Sequence, residues 1–145
     1  MGIQFLFIFL VFSILPSEAR VIAVYRYVYS VHIIDNLPYN VPLVIHCKSS
    51  DRDRGYETLK FSDDYNWEFF MGDGQRVSYS CHFWWLKGRK QKELVVFDVN
   101  LIKNYCVESS HACGWVVKED GFYLYSKRGG GPFYKMADWD IKESV

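Results

Sequence analysis

Val41–Ser49 reads VPLVIHCKS, and its side chains alternate in kind. Val41, Leu43, Ile45 and Cys47 fall on one side of a period-two pattern, with Val44 and His46 on the other, which is the signature of a half-buried β-strand. A cysteine on the apolar face packs as a small hydrophobe and can also close a covalent loop. The same alternation recurs at Arg76–Leu86, where Val77, Tyr79, Cys81, Phe83 and Trp85 share an apolar face opposite Ser78, Ser80, His82 and Trp84. Further strands are predicted at 31–36, 56–61, 65–70, 94–100, 114–118, 122–126 and 133–139. The turn signals between them include Gly72 and Gly74, and the Glu119-Asp120-Gly121 hairpin. No stretch repeats apolar residues at helical spacing over a helix length. The pattern predicts an all-β chain, an antiparallel β-sandwich of about eight strands.

The chain has 145 residues, enough for one domain with its own core, and 19% of them are aromatic, a share that suits pleated sheet. Its formal net charge is zero. Nothing in the bulk electrostatics points to nucleic acid or an anionic membrane surface. Residues 5–15, FLFIFLVFSIL, are too short for a bilayer-spanning helix, which needs about 20 residues, but have the length of a secretory leader's hydrophobic region. Pro16 and Ser17-Glu18-Ala19 complete a cleavage signal, so residues 1–19 are expected to be a signal peptide and the mature chain to begin at Arg20 as a secreted, extracellular protein. Residues 20–30 are expected to form an N-terminal arm or an extra edge strand, residues 31–139 the sandwich, and residues 140–145 a tail.

Four cysteines behind a leader read as two disulfides. No Cys-x-x-Cys pair or zinc-spaced histidine accompanies them, so neither a metal nor another cofactor is expected. Four cysteines permit three connectivities. Cys47 and Cys113 both sit on apolar strand faces far apart in sequence, which favours Cys47–Cys113 with Cys81–Cys106. No Asn-x-Ser/Thr acceptor for N-glycosylation occurs.

With strands and cysteines placed, the chain resembles the plant self-incompatibility S1 family, the S-protein homologues. The resemblance runs from about Val31 to Trp139. It rests on an ordered set: VHIIDNL (31–37), LVIHCKSSDRDRG (43–55), YNWEFF (65–70), YSCHFWW (79–85), VVFDV (95–99), and CGWVVKEDGFYLY (113–125) with Cys106 before it. Where the family commonly has Asp-Leu-Gly, this chain has Asp53-Arg54-Gly55. The resemblance implies a small secreted β-sandwich stapled by two disulfides. It also implies a non-enzymatic cell–cell signal, with pollen rejection as the founding case.

Several groups could carry function. Lys87–Glu93, KGRKQKE, reads as an exposed hairpin loop whose Lys87, Arg89, Lys90 and Lys92 form a local positive field, a candidate site for an acidic surface on a cell-surface receptor. The other exposed loops are 51–55, 107–112 and 127–132, and the mature chain is expected to be a monomer that does not insert in membranes. Asp51-Arg52-Asp53-Arg54 lacks the oxygen spacing of a calcium loop and reads as a solvated run of locally paired charges. His46 and His82 each lie next to a cysteine on the opposite strand face. If their strands pair, they could face each other as an acid–base couple, which makes a secreted hydrolase the alternative from another class. Trp67, Trp85 and Trp115 belong with the core, whereas Trp84 has the opposite parity to Trp85. An exposed member of that pair is a candidate partner anchor, or part of a sugar-stacking platform in a carbohydrate-binding defence protein.

Overall fold

The computed structural model describes residues 26–38, 40–106, 110–125 and 133–143. The signal-peptide segment, residues 20–25 and the loop at 127–132 lie outside the described residues. Ten strands are present among the described residues, in two five-stranded sheets. They are β1 (Arg26–Asp35), β2 (Leu43–Lys48), β3 (Asp53–Leu59), β4 (Asp64–Gly72), β5 (Tyr79–Trp85), β6 (Lys90–Phe97), β7 (Ala112–Lys118), β8 (Gly121–Leu124), β9 (Tyr134–Ala137) and β10 (Asp140–Ile141). One sheet has the order β4-β1-β7-β8-β9, the other β10-β6-β5-β2-β3. Every pairing is antiparallel except β1 with β7, which is parallel. A parallel pair needs a long crossover. Here the crossover includes strands of the other sheet, so the two sheets are knitted together by the chain path itself.

The inner faces follow the alternation of the sequence. Leu43, Ile45 and Cys47 of β2, with Tyr79, Cys81, Phe83 and Trp85 of β5, face Val31 and Ile33 of β1, Trp115 and Val117 of β7, and Phe122 and Leu124 of β8, all buried. Each large side chain so enclosed contributes roughly 1.5–3 kcal/mol relative to an exposed one. Trp115 crosses between the layers: its indole Nε1 donates to the Val96 carbonyl at 2.8 Å. Phe83 meets Phe122 at 4.8 Å between ring centroids, and Trp139 packs on both Phe122 and Trp85.

The structure corrects several expectations. Residues 26–30 are neither an arm nor a separate edge strand; they are the first half of β1, which lies between β4 and β7. Asp140 and Ile141 are not tail but β10, paired with Gln91 and Lys90 of β6. Val99–Asn104 forms a short helix, α1, where no helix was expected. Asp98 caps it by accepting from Leu101 N at 2.7 Å, and a helix of this length is too short to establish a period.

The disulfides are Cys47–Cys81 and Cys106–Cys113, not Cys47–Cys113 and Cys81–Cys106. The reason is register. Cys47 and Cys81 are direct partners on neighbouring antiparallel strands, with Cα atoms 4.0 Å apart, and both point inward. Cys106, just beyond α1, is clipped to the start of β7. Parity along a strand shows that a cysteine faces inward, but it carries no information on which strand lies alongside.

Candidate functional site

The pairing of β2 with β5 sets His46 directly opposite His82, so the condition for a facing histidine pair is met. On the outer side of the same sheet lie Val44, His46 and Lys48 of β2, and Ser80, His82 and Trp84 of β5. The β6 strand adds Glu93, opposite His82, and Gln91, opposite Trp84. On the other flank, β3 contributes through a bulge. Lys48 pairs with Asp53 and His46 with Tyr56, so β3 holds one residue more than β2 between those pairs. Gly55 takes φ 75°, a conformation that glycine adopts without the Cβ penalty of other residues. The extra residue restores the parity that brings both Asp53 and Tyr56 to the outer face.

These side chains form an organised cluster. His46 stacks on Tyr56 with centroids 4.4 Å apart and planes 22° from parallel; His82 stacks on Trp84 at 3.9 Å and 12°. Tyr56 and Trp84 approach each other at 5.8 Å. Parity assigned one of the Trp84–Trp85 pair to the outside, and it is Trp84: Trp85 is 2% exposed. His46 Nε2 donates to Asp53 Oδ1 at 2.6 Å, and His82 Nδ1 to Glu93 Oε1 at 3.2 Å. His82 Nε2 lies 3.1 Å from Gln91 Oε1, and the Gln91 amide is itself oriented by donating from Nε2 to the Gly88 carbonyl. The Gly55 N–H, reinforced by His46, holds the Asp53 carboxyl below its ordinary range. A cleft of about 660 Å³ opens over this cluster, and a second of about 630 Å³ lies on the other side of Trp84, floored by Val44, Val41 and Pro42.

Chemically, the histidine pair is held rather than free. Both His82 ring nitrogens already face oxygen partners, and His46 has one nitrogen on Asp53. A base that must accept a substrate proton needs an unengaged nitrogen within hydrogen-bond reach. His82 offers none, whereas His46 keeps its Nδ1 outside the Asp53 contact, so the facing pair lacks one of the two free nitrogens that an acid–base couple needs. Among the described residues, no group of three His, Cys, Asp or Glu side chains converges as metal ligands would.

The Asp51–Arg54 run is not a set of locally paired charges. Asp53 serves His46, Asp51 accepts from Ser49, and Arg54 leaves the run to lie 4.5 Å over the Trp67 ring, donating to the Tyr65 hydroxyl.

The basic segment 87–93 is divided by the structure. Lys90 and Lys92 are not in a loop but on β6. Lys90 lies over the Trp85 ring and donates to the Glu119 carbonyl, and Lys92 pairs with Asp140 at 3.5 Å. Lys87 and Arg89 remain at the exposed hairpin tip. Leu86 and Lys87, neither of them glycine, both have φ 54°. Sequence reasoning missed a third member. The Lys142 N–H donates to the Arg89 carbonyl at 2.7 Å, and Lys142, with Glu143, lines one cleft with Arg89 beside the tip. Only the pairing of β10 with β6, which is not encoded locally, could have revealed it.

Comparison with known proteins gives a consistent result. The family described as plant self-incompatibility protein S1 matches residues 30–139. S-protein homolog 1 of Arabidopsis thaliana is 29% identical over 105 residues, covering 70% of this chain and 66% of its own length. S-protein homolog 74 of the same plant is 30% identical over 105 residues with the same coverage, and S-protein homolog 13 is 33% identical over 96 residues, 60% of its length. The chain thus spans just under two-thirds of the first two relatives. A solved structure described as an SPH protein, from "a widespread family of small, highly stable, secreted proteins from plants", superposes with a TM-score of 0.58 at 17% identity. It covers 77% of this chain and 94% of the solved one, a likeness of fold.

Proposed function

This chain belongs to the plant self-incompatibility protein S1 family, and from that premise we propose that it is a secreted, non-enzymatic recognition ligand for a receptor protein on a cell surface. It acts in cell–cell signalling, of which pollen rejection is one form, and works as a monomer. Two disulfides and a continuous aromatic core hold the sandwich rigid, so recognition falls to what the sheets display. The engagement of both His82 nitrogens, which leaves the His46–His82 couple without one of its two members, supports the non-enzymatic reading. The description of the structural neighbour as secreted supports the extracellular one.

The observation that carries the contact site is the hairpin tip, where Lys87 and Arg89 are exposed and Lys142 lines one cleft with Arg89. Lys90 and Lys92 are engaged by the fold, so the recognition charge moves from the expected four residues to these three. Lys87 is held at a left-handed φ that costs roughly 1–2 kcal/mol for a residue with a Cβ, a strain kept at the tip where the charge is presented. These cations, against the single Glu143 beside Arg89 and Lys142, make a positive corner on a chain of zero net charge that steers an acidic partner and sets its orientation. The test uses fluorescently labelled mature protein on plant protoplasts. Saturable binding should be competed by unlabelled wild type and not by Arg89→Ala/Lys142→Ala, with melting temperature unchanged. Full competition by that variant refutes the contact site, and absence of saturable binding to protoplasts from any tissue refutes the ligand reading.

A further inference from the structure

We propose that the outer face of the β10-β6-β5-β2-β3 sheet carries a binding site for a neutral oligosaccharide. Tyr56 and Trp84 would stack on successive pyranose rings, and Glu93, Ser80 and Lys48 would meet the sugar hydroxyls. This site adjoins the receptor-contact corner at Lys87 but does not depend on Arg89 or Lys142.

The first reason is the disposition of the rings. Tyr56 is 69% exposed although one of its faces is covered by His46, so the opposite face is open to solvent. Trp84 is backed by His82 in the same way and borders clefts on both of its sides. The sugar C–H groups on one face of a pyranose are apolar and pack against an aromatic face, while its hydroxyls point outward in the ring plane. A separation of 5.8 Å between the Tyr56 and Trp84 centroids, with planes 31° apart, is close to the length of one pyranose unit along an extended chain. The imidazoles behind them fix both rings, so little side-chain freedom is lost on binding.

Polar groups and charge provide the second reason. A sugar hydroxyl both donates and accepts, so a sugar site needs donors and acceptors side by side. The cleft supplies the Lys48 ammonium, the Ser80 hydroxyl and the Glu93 carboxylate, which keeps one oxygen free after accepting from His82 Nδ1. The two clefts are lined by the cations Lys48 and Lys87 and the anion Glu93, with the Asp53 carboxylate held beside them on His46. With charges of both signs interspersed and no block of one sign, neither a polyuronate nor a basic peptide is favoured, and the occupant is an uncharged chain. The clefts, of about 660 and 630 Å³ on either side of Trp84, leave room for more than one sugar unit.

The experiment titrates the mature protein with soluble cello-, manno-, xyloglucan- and chito-oligosaccharides and with polygalacturonate, following tryptophan fluorescence and calorimetric heat. At least one neutral series should bind, more tightly as the chain lengthens. Tyr56→Ala and Trp84→Ala should each weaken it by about tenfold, the loss of one stacking contact. Tyr56 is so exposed that its replacement leaves the fold intact, which melting temperature verifies. Arg89→Ala/Lys142→Ala should bind as wild type, so loss of sugar binding and loss of protoplast binding are read separately. Three outcomes overturn the proposal: no neutral series binding, binding of polygalacturonate alone, or neutral binding that survives both aromatic substitutions.

Discussion

Replacing Cys47 and Cys81 together by alanine should cost the fold about 4 kcal/mol, whereas replacing Cys106 and Cys113 together should cost about 2 kcal/mol. The two bridges close loops of very different length, with sequence separations of 34 and 7 residues. In the chain-entropy account, a cross-link stabilises by removing freedom from the unfolded chain, as the logarithm of the loop length. All four cysteines are buried, so the small cavity left by each lost sulfur is similar in the two variants and cancels from the comparison. The remaining difference, about 1.5 kcal/mol, is just over a tenfold change in the folding equilibrium. Equilibrium unfolding in guanidinium, followed by tryptophan fluorescence, measures both losses on one scale. The same variants test the connectivity. In Cys47→Ala/Cys81→Ala the remaining cysteines stay bonded to each other, so a thiol reagent should label neither without reduction. Labelling of both Cys106 and Cys113 in that variant refutes the pairing. Equal losses from the two variants, or a larger one for the short loop, refute the loop-entropy reasoning.

Other expectations rest on separate features. Asp35 is 1% exposed, and burial, with Asp63 adding to it and the Leu37 N–H opposing, pushes its carboxyl above the ordinary 3.8. The folded state therefore binds this proton more tightly than the unfolded state, so the contribution is fully present below pH 3.8 and is lost as pH rises through the raised folded value. Asp35→Asn should raise the melting temperature at neutral pH and give no gain below that window; an equal loss at both would contradict it. Trp115→Phe strands the Val96 carbonyl and should cost about 2–3 kcal/mol by denaturant unfolding. Trp67→Phe should cost less, because the Trp67 Nε1 has no partner among the described residues. A Cβ on Gly121 would come within 2.4 Å of the Ala137 carbonyl oxygen at φ 149°, so Gly121→Ala should cost about 1–3 kcal/mol and loosen β9, seen as faster amide exchange at Tyr134–Ala137. Lys87→Gly should relieve left-handed strain, raising stability by up to about 1 kcal/mol while weakening protoplast binding; a lower melting temperature would remove the strain argument.

What the sequence determined by itself was local. Period-two alternation assigned the inner faces of β2 and β5, placed Trp67, Trp85 and Trp115 in the core, and left Trp84 outside. Each of these depends only on neighbours along one strand. The ordered motifs from Val31 to Trp139 sufficed to recognise the family, because family resemblance is itself a linear pattern. What only the tertiary structure decided is adjacency between strands. The order β10-β6-β5-β2-β3 made Cys47 the partner of Cys81, set His46 against His82, and carried Lys142 to Arg89. The bulge at Gly55 then turned Tyr56 towards Trp84. Alternation has the same period whichever strand lies alongside, so it fixes a side chain's face and leaves its neighbours open; those are chosen when loops close and the two layers exclude water together.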